Sequence, residues 1–421
     1  MFLTSKKGTV SNMKRVVVTG LGAVTPLGNT VAEYWENLKN GVNGIGMITR
    51  FDTTDFKCKV AAEVKNFDAA ERLDKVTARK TDPYVQYALC SADEAVADSG
   101  ILGTVEEDEL GVYFGSGVGG IQTLCENEEG LLSGGPRKVS PSFVPKMIIN
   151  IAAGQIAIRY HAHGTALSTA TACATGTTMI GEAYRAIRDG YLKAIICGGS
   201  EAAVTPLTVA GFLNCTALVK SEDPETACLP FDQRRAGFVI GEGAAALILE
   251  EYEHAVARGA HIYAEVCGYG TTCDAYHVTA PDPGAVYTAK AVQMALQSVE
   301  YDPEKLYINA HGTGTQLNDK AETTAFKSVF GEDAKKIKIS STKSMTGHML
   351  GAAGAAEAIA CIKALQDGVI PPTIHLEQPD EECDLDYTPN TAVSKDIDVA
   401  ISTSLGFGGH NACIAFRKVA E

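Results

Sequence analysis

The sequence predicts an α/β fold in which buried strands alternate with amphipathic helices. Short β-branched runs recur along the chain, and longer stretches with helical spacing of apolar residues separate them. Hydrophobic residues make up 45% of the 421 residues, enough for a large shared core. The 42 glycines of so apolar a chain indicate many strand-to-helix turns rather than disorder.

Each element has its own local signal. Stretches 84–97 and 321–330 have the apolar spacing of helices, and Asp82 followed by Pro83 is typical of an N-cap and first helical position. Helices between the strands predict sheets that are buried on both faces. The predicted strands are short and β-branched: 15–18, 111–114, 194–197, 245–249, 263–266, 306–309, 337–341, 399–403 and 412–416.

Two segments resemble each other and divide the chain. Residues 168–190 and 340–368 each read as a strand of small residues, a tight turn and an apolar helix that ends in Asp-Gly. Their separation is too long for a solenoid repeat, so we expect two related halves, 13–259 and 260–421, that share one core. Residues 1–12 precede a second methionine, Met13, and we expect them to form a disordered extension.

Composition excludes several classes of protein. The formal charge of −15 argues against a nucleic-acid partner. No apolar run is long enough to span a membrane, and the start lacks a signal-peptide core, so we expect a cytoplasmic protein, or a matrix protein if an organelle-targeting segment has been removed. The twelve cysteines contain no C-x-x-C pair, which argues against a disulfide framework or a metal site.

Two motifs imitate functional sites. The run Gly115–Gly120 matches G-x-G-x-x-G after a predicted strand, but it lacks the acidic residue that a dinucleotide site needs at the end of a second strand. We interpret its glycines as allowing backbone to pass close to a neighbouring chain or ligand. His163, in a His-Ala-His-Gly-Thr run, precedes a strand and is expected to be an exposed turn residue.

Cys173 is the candidate nucleophile. Small residues surround it, and the pattern predicts a strand that ends just before it and a helix that begins just after it. A sulfur at a helix N-terminus is favoured as thiolate by the dipole and the free N–H groups. The alternative is a buried structural cysteine, which we accept for most of the other eleven.

Five further residues are candidates for catalysis. His311 and His348 each follow a predicted strand in a Gly/Thr-rich loop, where open α/β sheets place their chemistry. A buried lysine in such a loop would need a partner, which predicts a pair between Lys343 and Glu357. The alternatives are packing histidines and a solvated surface pair. Phe407 lies in a glycine loop whose N–H groups could face an oxyanion.

Together these motifs resemble the β-ketoacyl-acyl-carrier-protein synthases of the thiolase-like superfamily, specifically the elongating type II enzymes. The similarity covers nearly the whole chain from Lys14. It implies a thiolase-like fold, with two pseudo-repeated halves in a layered α/β/α/β/α sandwich. The motifs are VVVTGLGAVTPLG, GSGVGG, GGPRKVSPSFVP, TATACATG, GFVIGEGAAALILEE, NAHGTGTQLNDKAE, SSTKSMTGHMLGAAGAAEA, PPTIHLEQPD and SLGFGGHNA.

The resemblance also implies catalytic roles. Cys173 would accept the acyl group, and His311 and His348 would assist malonyl decarboxylation and stabilise the enolate. Lys343, paired with Glu357, would organise the site electrostatically. Phe407 would gate the acyl pocket and would share the oxyanion hole with the N–H of Cys173.

Substrate contacts and partners follow from the same resemblance. Thr313 and Thr315 would bind the pantetheine amides, Val118 would gate chain length near a dimer interface, and Phe212 would contact substrate. The implied protein is a homodimer that binds acyl carrier protein and neither nucleic acid nor a membrane. It needs no cofactor of its own, because phosphopantetheine arrives on the carrier.

Docking of the carrier poses a charge problem, because carrier proteins are acidic and so is this chain. A local basic patch is therefore required. Lys75 and Arg79 are four residues apart, so they share one face if this segment is helical, and Lys80 lies beside them. The resembled family docks its carrier near this segment. The alternative is an ordinary solvated basic face.

The implied reaction is the decarboxylative condensation of malonyl-carrier with an acyl group on Cys173. Rival interpretations are a polyketide ketosynthase with the same triad, a non-catalytic partner that shapes chain length, and a hydrolytic cysteine enzyme. The chain departs from the family at Leu229, at Ala236 and around 218–220, which puts local ion pairing and substrate range in doubt.

Overall fold

The computed structural model describes residues 13–419. The predicted extension, residues 1–12, lies outside the described residues. The helices of the described part are α1 (Val31–Lys39), α2 (Ala69–Arg72), α3 (Lys75–Lys80), α4 (Pro83–Ser99), α5 (Ile121–Gly134), α6 (Phe143–Met147), α7 (Ile151–Tyr160), α8 (Thr175–Arg188), α9 (Pro206–Asn214), α10 (Tyr252–Ala257), α11 (Val286–Leu296), α12 (Gln316–Phe330), α13 (Lys343–Thr346) and α14 (Ala353–Asp367).

All nine predicted strands are present. β1 and β8 extend six and seven residues past their predicted ends, and the other ends shift by at most four residues. Five further strands of two residues each were not predicted. The strands are β1 (Val16–Val24), β2 (Gly46–Met47), β3 (Val60–Ala61), β4 (Leu110–Gly115), β5 (Ala166–Leu167), β6 (Ala194–Glu201), β7 (Gly243–Glu251), β8 (Ala264–Cys273), β9 (Leu306–Asn309), β10 (Lys338–Ser340), β11 (Val369–Ile370), β12 (Val393–Ser394), β13 (Val399–Gly406) and β14 (His410–Arg417).

The main sheet repeats one topology twice. Its order is β10-β9-β13-β14-β8-β1-β7-β6-β4-β5. In the first half, β4 pairs in parallel with β5 and β6. β7 then pairs antiparallel with both β6 and β1. The second half gives β10, β9, β13, β14 and β8 the same relations. The halves meet where Val16–Val18 pair with 264–266, so the predicted internal relationship is confirmed by topology.

Alternating side chains divide the sheet into two buried faces. On β7, Ala245 and Leu247 face a core that includes α8 and α14, whereas Ala246 and Ile248 face a core that includes α4. In the second half, Ile401 packs in a core with residues of α11 and α12. The order of layers is therefore helices, sheet, the central pair α8 and α14, sheet, helices, which is the predicted five-layer sandwich.

The segment before Cys173 differs from the prediction. No strand ends just before Cys173: the preceding strand, β5, ends at Leu167, and an irregular segment leads to a bridge between Thr171 and Cys173. The short strand pairs only with β4, at the edge of the sheet. No helix in the described range 13–419 is long and apolar enough to cross a membrane.

The predicted N-cap of α4 links two elements. The Asp82 carboxylate is fully buried and accepts hydrogen bonds from the backbone N–H of Tyr84 at 3.3 Å and of Thr123, on α5, at 3.0 Å. It also accepts from the Thr123 hydroxyl at 2.6 Å. One carboxylate therefore caps one helix and fixes the start of another.

Replacing Asp82 with alanine removes the cap and leaves buried donors of Thr123 unpaired. We expect the free energy of unfolding to fall by about 2–4 kcal/mol. The matched control is Asp74→Ala, which removes an exposed N-cap from the six-residue helix α3 and should cost about 1 kcal/mol or less. Urea denaturation measures both, and equal losses would contradict the linking role of Asp82.

Candidate active site

The predicted reactive residues meet in loops at the carboxyl ends of strands. Cys173 follows β5, His311 follows β9, His348 follows β10, and Phe407 follows β13. By the repeated topology, the Cys173 and His348 loops occupy equivalent positions in the two halves. Cys173, His311, His348 and Phe407 all line one cavity. The fold therefore brings together residues that are up to 234 positions apart in the sequence.

A strained turn presents Cys173. The preceding residue, Ala172, has a φ of 49°, which is uncommon for a residue with a side chain. Cys173 lies two residues before α8, and the loop carrying Phe407 packs directly on it. A Cβ at Gly406 would lie 2.6 Å from the Thr171 carbonyl and 3.2 Å from the Cys173 nitrogen, so only glycine fits there.

The surroundings of Cys173, which is half-buried, favour the thiol, the opposite of the direction predicted from the helix N-terminus. Burial raises the pKa of Cys173 to about 12. The Lys343 charge and the backbone N–H groups of Phe407 and Cys173 lower the pKa, but their combined effect is smaller than that of burial. Both N–H groups are close enough to the sulfur to lower its pKa, and whether they form an oxyanion hole stays a prediction.

The two histidines are buried, adjacent and neutral. His311 and His348 are 3% and 1% exposed, and their ring centroids lie 5.2 Å apart with the rings nearly perpendicular. Burial lowers both pKa values well below the ordinary histidine range, and the Lys343 charge lowers them further. Both ring nitrogens of His348 and the Nδ1 of His311 are buried without a hydrogen-bond partner in the described residues.

Backbone contacts fix both histidines instead. The Glu322 carboxylate on α12 accepts the N–H of His311 at 2.7 Å and that of Gly312 at 2.8 Å. The N–H of His348 donates to the Val239 carbonyl at 2.7 Å. Burial raises the pKa of Glu322 to about 7. The main chain is held, so the imidazole nitrogens stay free for a ligand.

The predicted pair between Lys343 and Glu357 is confirmed. Lys343 is 1% exposed and its ammonium donates to the carboxylate of Glu357, which lies one helix later on α14. The alternative of a solvated surface pair is wrong. The charge of Lys343 lowers the pKa of Cys173, His311 and His348.

Aromatic rings link the Phe407 loop to His348. The ring centroid of Phe212 lies 6.3 Å from that of Phe407 and 5.3 Å from that of Phe238. The Phe238 ring packs edge-on against the His348 ring, with centroids 5.2 Å apart. Phe212, predicted to contact substrate, packs in one apolar cluster with Cys173. Phe238 escaped the sequence analysis because nothing in its local sequence distinguishes it from an ordinary core aromatic.

The other predicted residues fall into three places. Thr313 and Thr315 line the cavity, with hydroxyls 3.1 Å apart. Val118 is 36% exposed, and its backbone N–H binds Glu201. The basic residues Lys75, Arg79 and Lys80 are all exposed on the six-residue helix α3.

The sequence departures have structural consequences. Ala236 lines the cavity mouth and Leu229 is buried. The neighbouring Arg235, which is 1% exposed, still forms ion pairs. Its guanidinium donates to the Asp380 carboxylate, and its Nε lies 3.9 Å from Oδ2 of Asp319. Within residues 13–419, no cluster of three or more His, Cys, Asp or Glu side chains is arranged to hold a metal.

The raised pKa predicts a pH dependence for alkylation of Cys173. Iodoacetamide reacts with thiolate, so its rate at Cys173 should rise steadily from pH 6 to 9 without a plateau. Lys343→Met removes a cation that lowers the pKa, and should slow labelling further at each pH. Mass spectrometry of the labelled peptide gives the rates, with exposed Cys215 as internal control. A plateau below pH 8 would contradict the raised pKa.

Comparisons with known proteins agree with this site. The N-terminal domain model of β-ketoacyl synthases matches residues 13–255, and the C-terminal domain model matches 263–377. A 3-oxoacyl-[acyl-carrier-protein] synthase 2 from Synechocystis sp. is 50% identical over 408 residues, covering 96% of this chain and 98% of that protein. A protein of the same name from Staphylococcus aureus is 49% identical over 411 residues, covering 97% and 99%.

Solved structures share the fold over almost the full chain. A β-ketoacyl synthase from Burkholderia phymatum has a TM-score of 0.89 at 35% identity, covering 97% of this chain and all of that one. A type II polyketide ketosynthase in complex with its acyl-carrier protein has a TM-score of 0.88 at 36% identity, with the same coverage. The chain belongs to the β-ketoacyl synthase family, the acyltransferases that condense acyl groups into 3-oxoacyl products.

Proposed function

We propose that this chain elongates fatty acyl chains by two carbons, condensing malonyl-carrier with an acyl group held on Cys173. One observation supports this most strongly: two neutral histidines with free ring nitrogens share a cavity with a cysteine under two backbone N–H groups. Hydrolysis by a cysteine enzyme needs one histidine and leaves the second without a role.

The first step is acyl transfer. The Cys173 sulfur attacks the acyl-carrier thioester, a new S–C bond forms, and the pantetheine S–C bond breaks. Because Cys173 begins as a thiol, its proton leaves with the pantetheine sulfur, and no net charge is buried. The N–H groups of Cys173 and Phe407 stabilise the tetrahedral oxyanion.

The second step is decarboxylation. The neutral histidines His311 and His348 donate N–H groups to the malonyl thioester oxygen, and the C–C bond to the carboxylate breaks to release carbon dioxide. The electron pair of that bond forms the enolate. Neutral donors suit this step because an imidazolium would protonate the enolate rather than stabilise it. Burial and Lys343 maintain the neutral state.

The third step is condensation. The enolate carbon attacks the acyl carbonyl on Cys173, the S–C bond breaks, and the sulfur leaves as thiolate. The buried Lys343 charge stabilises this thiolate until it takes up a proton. The product is a 3-oxoacyl-carrier two carbons longer than the acyl group.

The remaining residues bind the substrate. The hydroxyls of Thr313 and Thr315 bind the pantetheine amides, and the Phe407 ring gates the acyl pocket beside Phe212. Val118 limits chain length from the adjoining loop. The reaction uses no cofactor of the protein, since the pantetheine arrives on the carrier.

A fatty-acid role is favoured over a polyketide role. The curated fatty-acid-type relatives above are 49–50% identical, whereas the polyketide ketosynthase above is 36% identical. A non-catalytic chain-length partner would have no use for a nucleophile, and Cys173 is present. That polyketide structure also contains an acyl-carrier protein, which supports acyl carrier protein as the partner here.

We further propose a cytoplasmic homodimer. The edge strand β5 leaves one side of the main sheet open, and an exposed edge can pair with its symmetry mate. Large apolar side chains are exposed on the helices of the same half. Leu132, Val144 and Ile158 are 78%, 54% and 71% exposed.

Mass spectrometry of separated half-reactions tests the catalytic roles. Cys173→Ala should form no acyl-enzyme with acyl-carrier thioester. His311→Ala and His348→Ala should still acylate Cys173 but should lose malonyl decarboxylation by a factor of about 10²–10³. An acyl adduct on another cysteine would refute the role of Cys173, and normal decarboxylation would make that histidine structural.

Charge reversal tests carrier docking on α3. Lys75→Glu combined with Arg79→Glu should raise the KM for acyl-carrier substrates at least tenfold and weaken its salt dependence. Turnover of a small acyl thioester should barely change. Lys290→Glu with Lys335→Glu, exposed positions in the other half, gives the same charge change as a control. Equal losses in both double variants would place docking elsewhere.

A further inference from the structure

The glycine loop whose sequence resembles a phosphate-binding loop already holds a carboxyl group of this chain. Glu201 ends β6 and is fully buried. Its Oε1 accepts from the Ser116 hydroxyl at 2.9 Å and from the Val118 N–H at 3.1 Å. Its Oε2 accepts from the N–H groups of Gly117 at 2.8 Å and Gly351 at 3.0 Å.

Neutral donors alone hold this carboxylate. No lysine, arginine or histidine of the described residues lies within salt-bridge distance of Glu201, unlike Glu357 beside Lys343. A buried carboxylate without a counter-ion is costly unless each lone pair it presents is used. The four directional hydrogen bonds meet that requirement, so their geometry is tightly constrained.

The four donors come from both halves of the fold. Ser116, Gly117 and Val118 follow β4 of the first half, whereas Gly351 follows His348 by three residues in the second half. The two loops touch through backbone, because a Cβ at Gly351 would lie 2.4 Å from the Gly117 nitrogen. A Cβ at Gly117 would lie 3.6 Å from the Ala172 carbonyl, next to the nucleophile.

We propose that Glu201 is a positioning residue that fixes the Val118 loop and the His348 loop against each other. The inference rests on the proposed function, in which Val118 borders the acyl pocket and His348 binds the malonyl oxygen. Through Glu201, the shape of the acyl pocket and the position of the decarboxylating histidine are set together. Acyl-length preference and decarboxylation therefore depend on one buried carboxylate.

Glu201→Gln tests this with nearly unchanged volume. One oxygen becomes an NH₂ group that faces N–H donors, so at least two of the four bonds are lost. We expect malonyl decarboxylation to fall at least tenfold and the ratio of kcat/KM values between long and short acyl-carriers to change at least threefold. Amide exchange should speed up at least tenfold in both segments, 115–120 and 347–352.

Glu250→Gln is the matched control. Glu250 is also fully buried and accepts several hydrogen bonds, but it lies at the other end of the adjacent strand β7, near Thr19 and Arg258. It should lower stability without changing the acyl-length ratio or exchange in 347–352. Gly351→Ala, which pushes the loops apart without changing charge, should reproduce the exchange and length effects of Glu201→Gln.

Two results would overturn the inference. One is faster exchange in 115–120 with unchanged exchange in 347–352, since the loops would then be independent. The other is an activity loss in Glu201→Gln that matches Glu250→Gln at equal loss of Tm, with the length ratio unchanged. A wild-type protein that fails to condense would refute the proposed function, whereas the exchange comparison would still decide the coupling.

Discussion

The chemistry of this site depends on one buried cation. Lys343 is buried in contact with Glu357, and its charge lowers the pKa of Cys173, His311 and His348 together. For the histidines this adds to burial and secures the neutral state. For the cysteine it opposes burial without overcoming it. One charge thus favours hydrogen-bond donation at two residues and eases thiolate formation at the third.

The cost of burying Lys343 explains the architecture around it. Burying a lone ammonium is costly, so the charge of Lys343 requires the Glu357 carboxylate, which α14 places within reach. The second oxygen of Glu357 has no partner among the described residues. The pair is consequently less than fully satisfied, as expected where charge serves chemistry rather than stability.

In each half of the molecule, a buried glutamate binds the backbone of one loop near the site. The loop after β9 gives the N–H groups of His311 and Gly312 to Glu322, and the equivalent loop after β4 gives those of Gly117 and Val118 to Glu201. The N–H groups of loops buried between layers cannot donate hydrogen bonds to water, so they donate to a carboxylate instead. The difference lies in reach, because Glu201 also binds Gly351 of the other half.

The sequence predicted the features that depend on interactions between residues close together in the chain. The nine strands of three or more residues, the Asp82 cap and the strand-end loops with Cys173, His311 and His348 follow from periodicity, capping and glycine content. The two-residue strands such as β5 escaped because a neighbouring strand, not their own composition, makes them extended. Phe238 and Glu322 escaped because their importance comes from contacts that only the folded chain makes.

The raised pKa of Cys173 was not foreseen for the same physical reason that Glu201 escaped notice. The helix N-terminus is visible in the sequence, but the degree of burial is not, and desolvation is the larger effect on the sulfur. Burial is likewise the reason that Glu201 needs its four hydrogen bonds, because an exposed glutamate could bind water instead. Both residues lie where the two halves press their loops together. The duplicated fold therefore brings Cys173 from one half close to the histidines from the other, so that a single charge or carboxylate acts on both.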